Sequence, residues 1–158
     1  MNLEVKIFTS YYAKMAKRKK GVDDVYIAVS RTFFCPLKDP DGNRVEDTID
    51  YHFPNLGNYW DLEDYKKNVD REEVKLLVDF LFPPKDDPWV PTDEKSKSIN
   101  FFLLCFENLN AKYTKKDEEK HSGVVAGEYK QCHRTLLAEI LKEEFGVESS
   151  EYEYGMAE

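Results

Sequence analysis

Nowhere does the chain carry the roughly 20 consecutive apolar residues that a membrane-spanning helix needs. Its most hydrophobic run, INFFLLCFE (99–107), is of strand length. The opening residues MNLEVKIFTS lack the form of an export signal and read as a first strand, so the protein is expected to be cytoplasmic. Cysteine is sparse: Cys35, Cys105 and Cys132 are odd in number and irregularly spaced, which points to reduced thiols rather than a disulfide framework. No Cys-x-x-Cys or Cys-x-x-x-Cys knuckle exists, and on those spacings zinc is set aside and neither metal nor cofactor is expected. Gly-x-Gly-x-x-Gly, Gly-x-x-x-x-Gly-Lys-Ser/Thr, Gly-x-Ser-x-Gly and His-Glu-x-x-His are also missing, which removes the motif-borne nucleotide, hydrolase and metalloprotease readings. Positive charge is in deficit. A formal charge of -8 works against binding to nucleic acid or an anionic membrane, both of which require a basic surface. The one basic run, Lys14 to Lys20 with five cations, reads as the solvated face and end of a helix.

What the chain does have is apolar and aromatic surface. Hydrophobic residues make up 41%, with ten Phe and ten Tyr, enough for the core of one domain of 158 residues. LEVKIFT (3–9) alternates as a strand, and YYAKMAKRKKG (11–21) follows as a helix capped by Gly21. DVYIAVS (24–30) is a second, buried strand. Turn residues break up 35–60, where only VEDTIDYHF offers strand character. Asp70, with Glu73 three residues on, predicts a helix N-terminus, and Val74, Leu77, Val78 and Leu81 mark its buried face up to Pro83. A Pro-punctuated connector (83–98) leads to INFFLLCFE, the expected central strand. Residues 108–131 form a long charged excursion, a lid or insert with room for one short helix. CHRTLLAEILKEEF (132–145) is an amphipathic helix ending before Gly146. The division expected is a single domain over 1–146 and an acidic, frayed tail over 147–158. Alternating strands and helices predict an α/β fold, a three-layer arrangement with a mostly parallel sheet and helices on both faces.

In such folds ligands bind beyond the C-terminal strand ends. That rule gathers Ser10 and Tyr11 after the first strand, Arg31 after the second, and Cys105 and Glu107 at the end of the central one. Cys132, His133 and Arg134 join them at a helix start, where free N–H groups favour an anion. Arg31 and Arg134 are charge-assisted donors suited to phosphate or carboxylate. Each residue also has a plain structural reading. Cys105 can be a small core hydrophobe. Glu107 can pair with either arginine, and His133 can be a neutral ring donating one hydrogen bond. Cys132, at a helix N-terminus, is the better candidate for a reactive thiolate.

LLCFE (103–107) followed by CHRTLLAEIL (132–141) resembles the strand and helix signature of the bacterial and phage domain-of-unknown-function family 488, a strand ending in Leu-Cys-x-Glu and then Cys-His-Arg. FTSYYA (8–13), IAVSR (27–31) and YHFPNLGNYW (51–60) are similar to further pieces of that family in the same order. The departure is the linker 108–131, where family members commonly have only a handful of residues. The resemblance implies an α/β fold with Ser10, Arg31, Cys105, Glu107, Cys132, His133 and Arg134 near one pocket. It implies no activity, since none is generally assigned to the family.

Three functions compete. The first is a binder of a small anionic, nucleotide-derived ligand, with Tyr11, Tyr51 or Trp60 stacking a base; a phage copy of such a domain could sequester a host signal in an anti-defence role. The second is an enzyme of nucleotide or nucleic-acid metabolism with Cys132 as nucleophile or Glu107 as base, His133 assisting and Arg134 stabilising charge. The third is an interaction module using the connector and the acidic tail. A homodimer through aromatic surface is left open by the sequence.

Overall fold

A computed structural model describes residues 3–57, 64–83, 97–107, 109, 111–120, 124–130 and 132–156. Trp60 and most of the Pro-punctuated connector lie outside the described residues. Strands β1 (Leu3–Tyr11), β2 (Asp24–Ala28), β3 (Tyr51–His52), β4 (Lys97–Cys105) and β5 (Ser150–Glu151) form one sheet in the order β3-β2-β4-β1-β5, with every pairing parallel. The α/β expectation therefore holds, and β4 is the central strand. Its apolar run is continuous because both faces are covered: Phe101 and Leu103 enter one core, Phe102 and Leu104 the other.

On the first face lie α2 (Tyr65–Asn68), α3 (Arg71–Leu81) and α5 (His133–Phe145), through Tyr65, Leu77, Leu137 and Ile140 among others. Asp70 caps α3 by accepting from the backbone N–H of Glu72 and Glu73 at 3.0 and 3.2 Å. Gly146 ends α5 with φ +69°, a left-handed conformation that glycine adopts without steric cost. The second face is covered by α1 (Tyr12–Met15), a 3₁₀ turn (Val45–Thr48) and the chain between them. In the excursion after β4, Thr114 and Asp117 cap each other reciprocally to start α4 (Lys115–Lys120).

Four expectations are corrected. The helix over 11–21 shortens to α1, because Arg18 turns inward to pair with Asp24 at 2.8 Å and to stack over Phe102, and Gly21 donates its N–H to Asp24 instead of capping a helix. The basic run is only partly a solvated face: Lys17 and Lys19 are exposed, whereas Lys14 and Arg18 are buried, and Lys14 donates to the backbone oxygen of Tyr152. VEDTIDYHF forms the 3₁₀ turn and the short β3 rather than one strand. Over its described residues, 147–156, the tail packs onto the fold. Residues 150–151 pair with β1, and Tyr152 is fully buried against Phe8 and Phe102.

From β1 the chain crosses beyond β4 to reach β2, and from β4 it crosses beyond β1 to reach β5. Two neighbouring strands thus send their connections in opposite directions, α1 lying in the first and α5 in the second. This is a topological switch point, the place in an open parallel sheet where a crevice opens at the C-terminal strand ends.

Candidate functional site

Tyr11 and Cys105, paired in register, are the last residues of the two strands that flank the switch point. Above them α5 begins, with Cys132 as its N-cap and His133 and Arg134 in its first turn. The fold thus joins two segments separated by the whole 108–131 excursion. Against the expectation of reduced thiols, Cys105 and Cys132 are joined by a disulfide, their Cα atoms 7.5 Å apart. Cys105, Cys132 and His133 are all buried, and their Sγ, Sγ and ring-nitrogen atoms lie within 4.8 Å of one another.

His133 is oriented from below. Its Nε2 sits 2.7 Å from the carbonyl oxygen of Val29. A carbonyl only accepts, so Nε2 carries the proton and Nδ1 keeps a lone pair, 3.6 Å from Cys132 Sγ. Burial, with the Arg134 charge adding to it, lowers the imidazole pKa to about 4 against the Val29 hydrogen bond, so the ring is neutral near pH 7. It is the neutral, singly donating ring that the sequence allowed.

Arg134 is 0% exposed. Its Nε and Nη2 donate to the two carboxylate oxygens of Glu151 at 3.0 and 2.7 Å, and Nη1 donates to the backbone oxygen of Glu107 at 2.6 Å and to Cys105 Sγ at 3.0 Å. The Tyr11 ring packs against the guanidinium. Thr9 completes the network, donating to Glu151 at 2.7 Å. Arg134 is therefore a bracket that ties α5, β4 and β5 together and holds a positive charge beside the Cys105 sulfur; its donors are engaged within the protein.

Several predicted residues sit elsewhere. Ser10 alternates with Tyr11 onto the opposite face, that of Phe8, where it is buried with no hydrogen-bond partner for its hydroxyl among the described residues. The Glu107 carboxylate pairs with Lys130 at 3.4 Å rather than with an arginine. Cys35 is buried in the second core, away from the other two cysteines. Tyr51 packs on Phe80. Arg31 lines an open cleft of about 330 Å³ with Thr32, Phe33, Phe34, Glu46 and His52, and none of the other predicted site residues joins it there.

The cleft and the buried cluster share one loop, since Val29, which holds His133, directly precedes Ser30 and Arg31. That loop is clamped. His52 Nε2 meets Ser30 O at 2.7 Å, and the Ser30 hydroxyl bonds both Tyr12 and the Thr32 backbone oxygen. Gly57 lies so close that an added Cβ would stand 2.6 Å from the Arg31 backbone nitrogen. Phe34 is 65% exposed, an apolar face open to solvent.

Glu151, Phe33, Phe34 and His52 did not stand out as site residues in the sequence. Only the alternation of Glu and Tyr over 151–154 hinted that the tail could be a strand. No protein-family model, no curated protein and no solved structure matches this chain, so the resemblance to family 488 rests on its quoted motifs. Among the described residues no helix is long and apolar enough to cross a membrane.

Proposed function

We propose that this protein binds a small anionic, nucleotide-type ligand at the C-terminal edge of its sheet, in the cleft of Arg31, Phe33, Phe34, Glu46 and His52. One observation carries the reading: an arginine, an exposed phenylalanine face and a carboxylate line the same open space at the strand ends. Arg31 supplies a forked donor for a phosphate, Phe34 a stacking face for a base, and Glu46 an acceptor for sugar hydroxyls. Arg134, first cast as a ligand donor, acts instead as internal support. In the sequestering version of this function the complex is long-lived and the ligand leaves unchanged, as an anti-defence role in a phage would require.

Calorimetric titration with nucleoside mono- and diphosphates, nucleosides and inorganic phosphate tests the reading. Losing one charge-assisted contact costs about 1.5–3 kcal/mol, so Arg31→Ala should weaken nucleotide binding roughly 10- to 150-fold. Phe34→Ala should weaken nucleotides and spare phosphate. Equal binding by both variants and the parent, or no binding of any nucleotide, overturns it.

A second reading is turnover at the buried cluster once the Cys105–Cys132 disulfide is reduced, favoured by the 3.6 Å approach of Cys132 Sγ to His133 Nδ1. Nucleotide consumption that is abolished in Cys132→Ala and retained in Arg31→Ala would select it.

A further inference from the structure

Separate from the Arg31 cleft, the cluster at the start of α5 has the composition and support of a metal centre. We propose that Cys105, Cys132 and His133 hold a zinc ion through two thiolates and the imidazole Nδ1.

The donor set comes first. Two sulfurs and one imidazole nitrogen, all within 4.8 Å of one another, are the ligands that zinc selects in tetrahedral sites. Zinc–sulfur bonds of about 2.3 Å and zinc–nitrogen bonds of about 2.0–2.1 Å fit inside that span. The backbone spacing agrees. A Cα separation of 7.5 Å lies beyond the range of roughly 4.4–6.8 Å usual for disulfides, although the two sulfurs are joined directly. Zinc would enter once that bond is reduced and the sulfurs part.

The groups behind the ligands fit equally well. A metal-binding histidine typically donates its other ring N–H to a carbonyl or carboxylate, which fixes its tautomer, and His133 donates Nε2–H to Val29 O with Nδ1 left toward the sulfurs. Metal-bound cysteine is a thiolate, and Arg134 Nη1 donates to Cys105 Sγ at 3.0 Å from a guanidinium that Glu151 locks in place. Cys132 occupies a helix N-cap, where the dipole favours negative charge. An external thiol first reduces the Cys105–Cys132 bond and is itself oxidised to a disulfide; Zn²⁺ then displaces one proton from each cysteine thiol and the neutral imidazole adds its lone pair, with no further electron transfer.

Sequence spacing argues against zinc because structural sites draw on closely spaced cysteine pairs. Here the one adjacent ligand pair is Cys132-His133, and the third ligand arrives from a different element, Cys105 at the end of β4. Among the described residues no fourth side chain joins the group. Three protein ligands with a fourth position left to water or substrate is the pattern of reactive rather than purely structural zinc.

The test uses the full chain purified under reducing conditions without chelator. Elemental analysis should give one zinc per chain. The stripped protein titrated with Co²⁺ should develop thiolate charge-transfer and tetrahedral ligand-field absorption that saturates at one equivalent. Cys105→Ser, Cys132→Ser and His133→Gln should each weaken Zn²⁺ binding more than about 100-fold, beyond what loss of a supporting contact produces, while Cys35→Ser keeps it. Should a ligand variant fail to fold, titration of the parent with an organomercurial decides the matter: zinc release must track the loss of two thiols per ion. A folded, fully reduced chain that takes up neither Zn²⁺ nor Co²⁺, or a Cys105–Cys132 disulfide that persists in that preparation, overturns the proposal. Nucleotide binding by such a chain would leave the Arg31 cleft standing on its own.

Discussion

Replacing Arg134 by methionine removes the bracket at the start of α5 while keeping most of its apolar volume. Three elements lose their tie at once: the carboxylate of Glu151 on β5, the backbone oxygen of Glu107 beyond β4, and the Cys105 sulfur. Breaking a buried ion pair by removing one partner costs about 3–5 kcal/mol. Glu151 retains 32% side-chain exposure, so water partly relieves the orphaned carboxylate and the lower end applies. With a urea m-value near 2 kcal/mol/M, a loss of about 3 kcal/mol moves the unfolding midpoint down by about 1.5 M. Arg134→Lys keeps the charge but not the two-oxygen grip on Glu151, and should fall between the methionine variant and the parent. Urea unfolding followed by circular dichroism and by tryptophan fluorescence provides the measurement. An Arg134→Met protein within about 1 kcal/mol of the parent would refute the bracket, because surface-like arginines give losses of that size or less.

Acid should weaken the metal-free protein through His133. Its folded pKa of about 4 lies below the ordinary 6.5, so the unfolded chain takes the proton first. Stability is then complete above about pH 6.5 and falls as pH drops toward 4, by about 3 kcal/mol in all. His133→Gln, which preserves a donor to Val29 O, should flatten that slope; an unchanged slope would assign it to other groups. Tyr152→Ala should cost about 3–5 kcal/mol, because the ring is fully buried between Phe8 and Phe102, and a loss below 1 kcal/mol would return the tail to a frayed state. Gly57→Ala should destabilise by about 1–3 kcal/mol through its clash with the Arg31 backbone and should also weaken nucleotide binding; native-like affinity would separate the Arg31 loop from the site.

The elements legible in the sequence were those whose local pattern and packing agree. INFFLLC announced a buried central strand because no polar residue but Asn100 interrupts it, and Asn100 is satisfied by Asp24 at 3.0 Å. CHRTLLAEIL announced α5 because its apolar spacing and Gly146 coincide with one buried face and a left-handed cap. Where tertiary demand overrode local preference, reading failed. Lys14 to Arg18 has a helix-forming composition, yet the pull of Asp24, Phe102 and Tyr152 on Arg18 ends the helix after one turn. β5 was hidden because only two of its residues pair, in an acidic segment whose anchor, Thr9 to Glu151, spans 142 positions.

At the site, residue type told where chemistry gathers but not which partners it takes. Cys105, Cys132, His133 and Arg134 converge as strand-end logic predicts. Whether an arginine faces ligand or protein depends on a carboxylate in another element, here 17 residues on. Glu151 decided it for Arg134. Ser10 was misplaced by one step of strand alternation, which sends it to the face opposite Tyr11.

Amide chemical-shift mapping of the labelled protein with a saturating nucleoside diphosphate tests the central claim, that ligand binds at the C-terminal strand ends beside the Arg31 loop. Shifts should concentrate at Arg31 to Phe34, Glu46, His52 and Gly57, with smaller changes at Val29 and His133. Shifts confined to α3 or α4, or none at saturation, would contradict it.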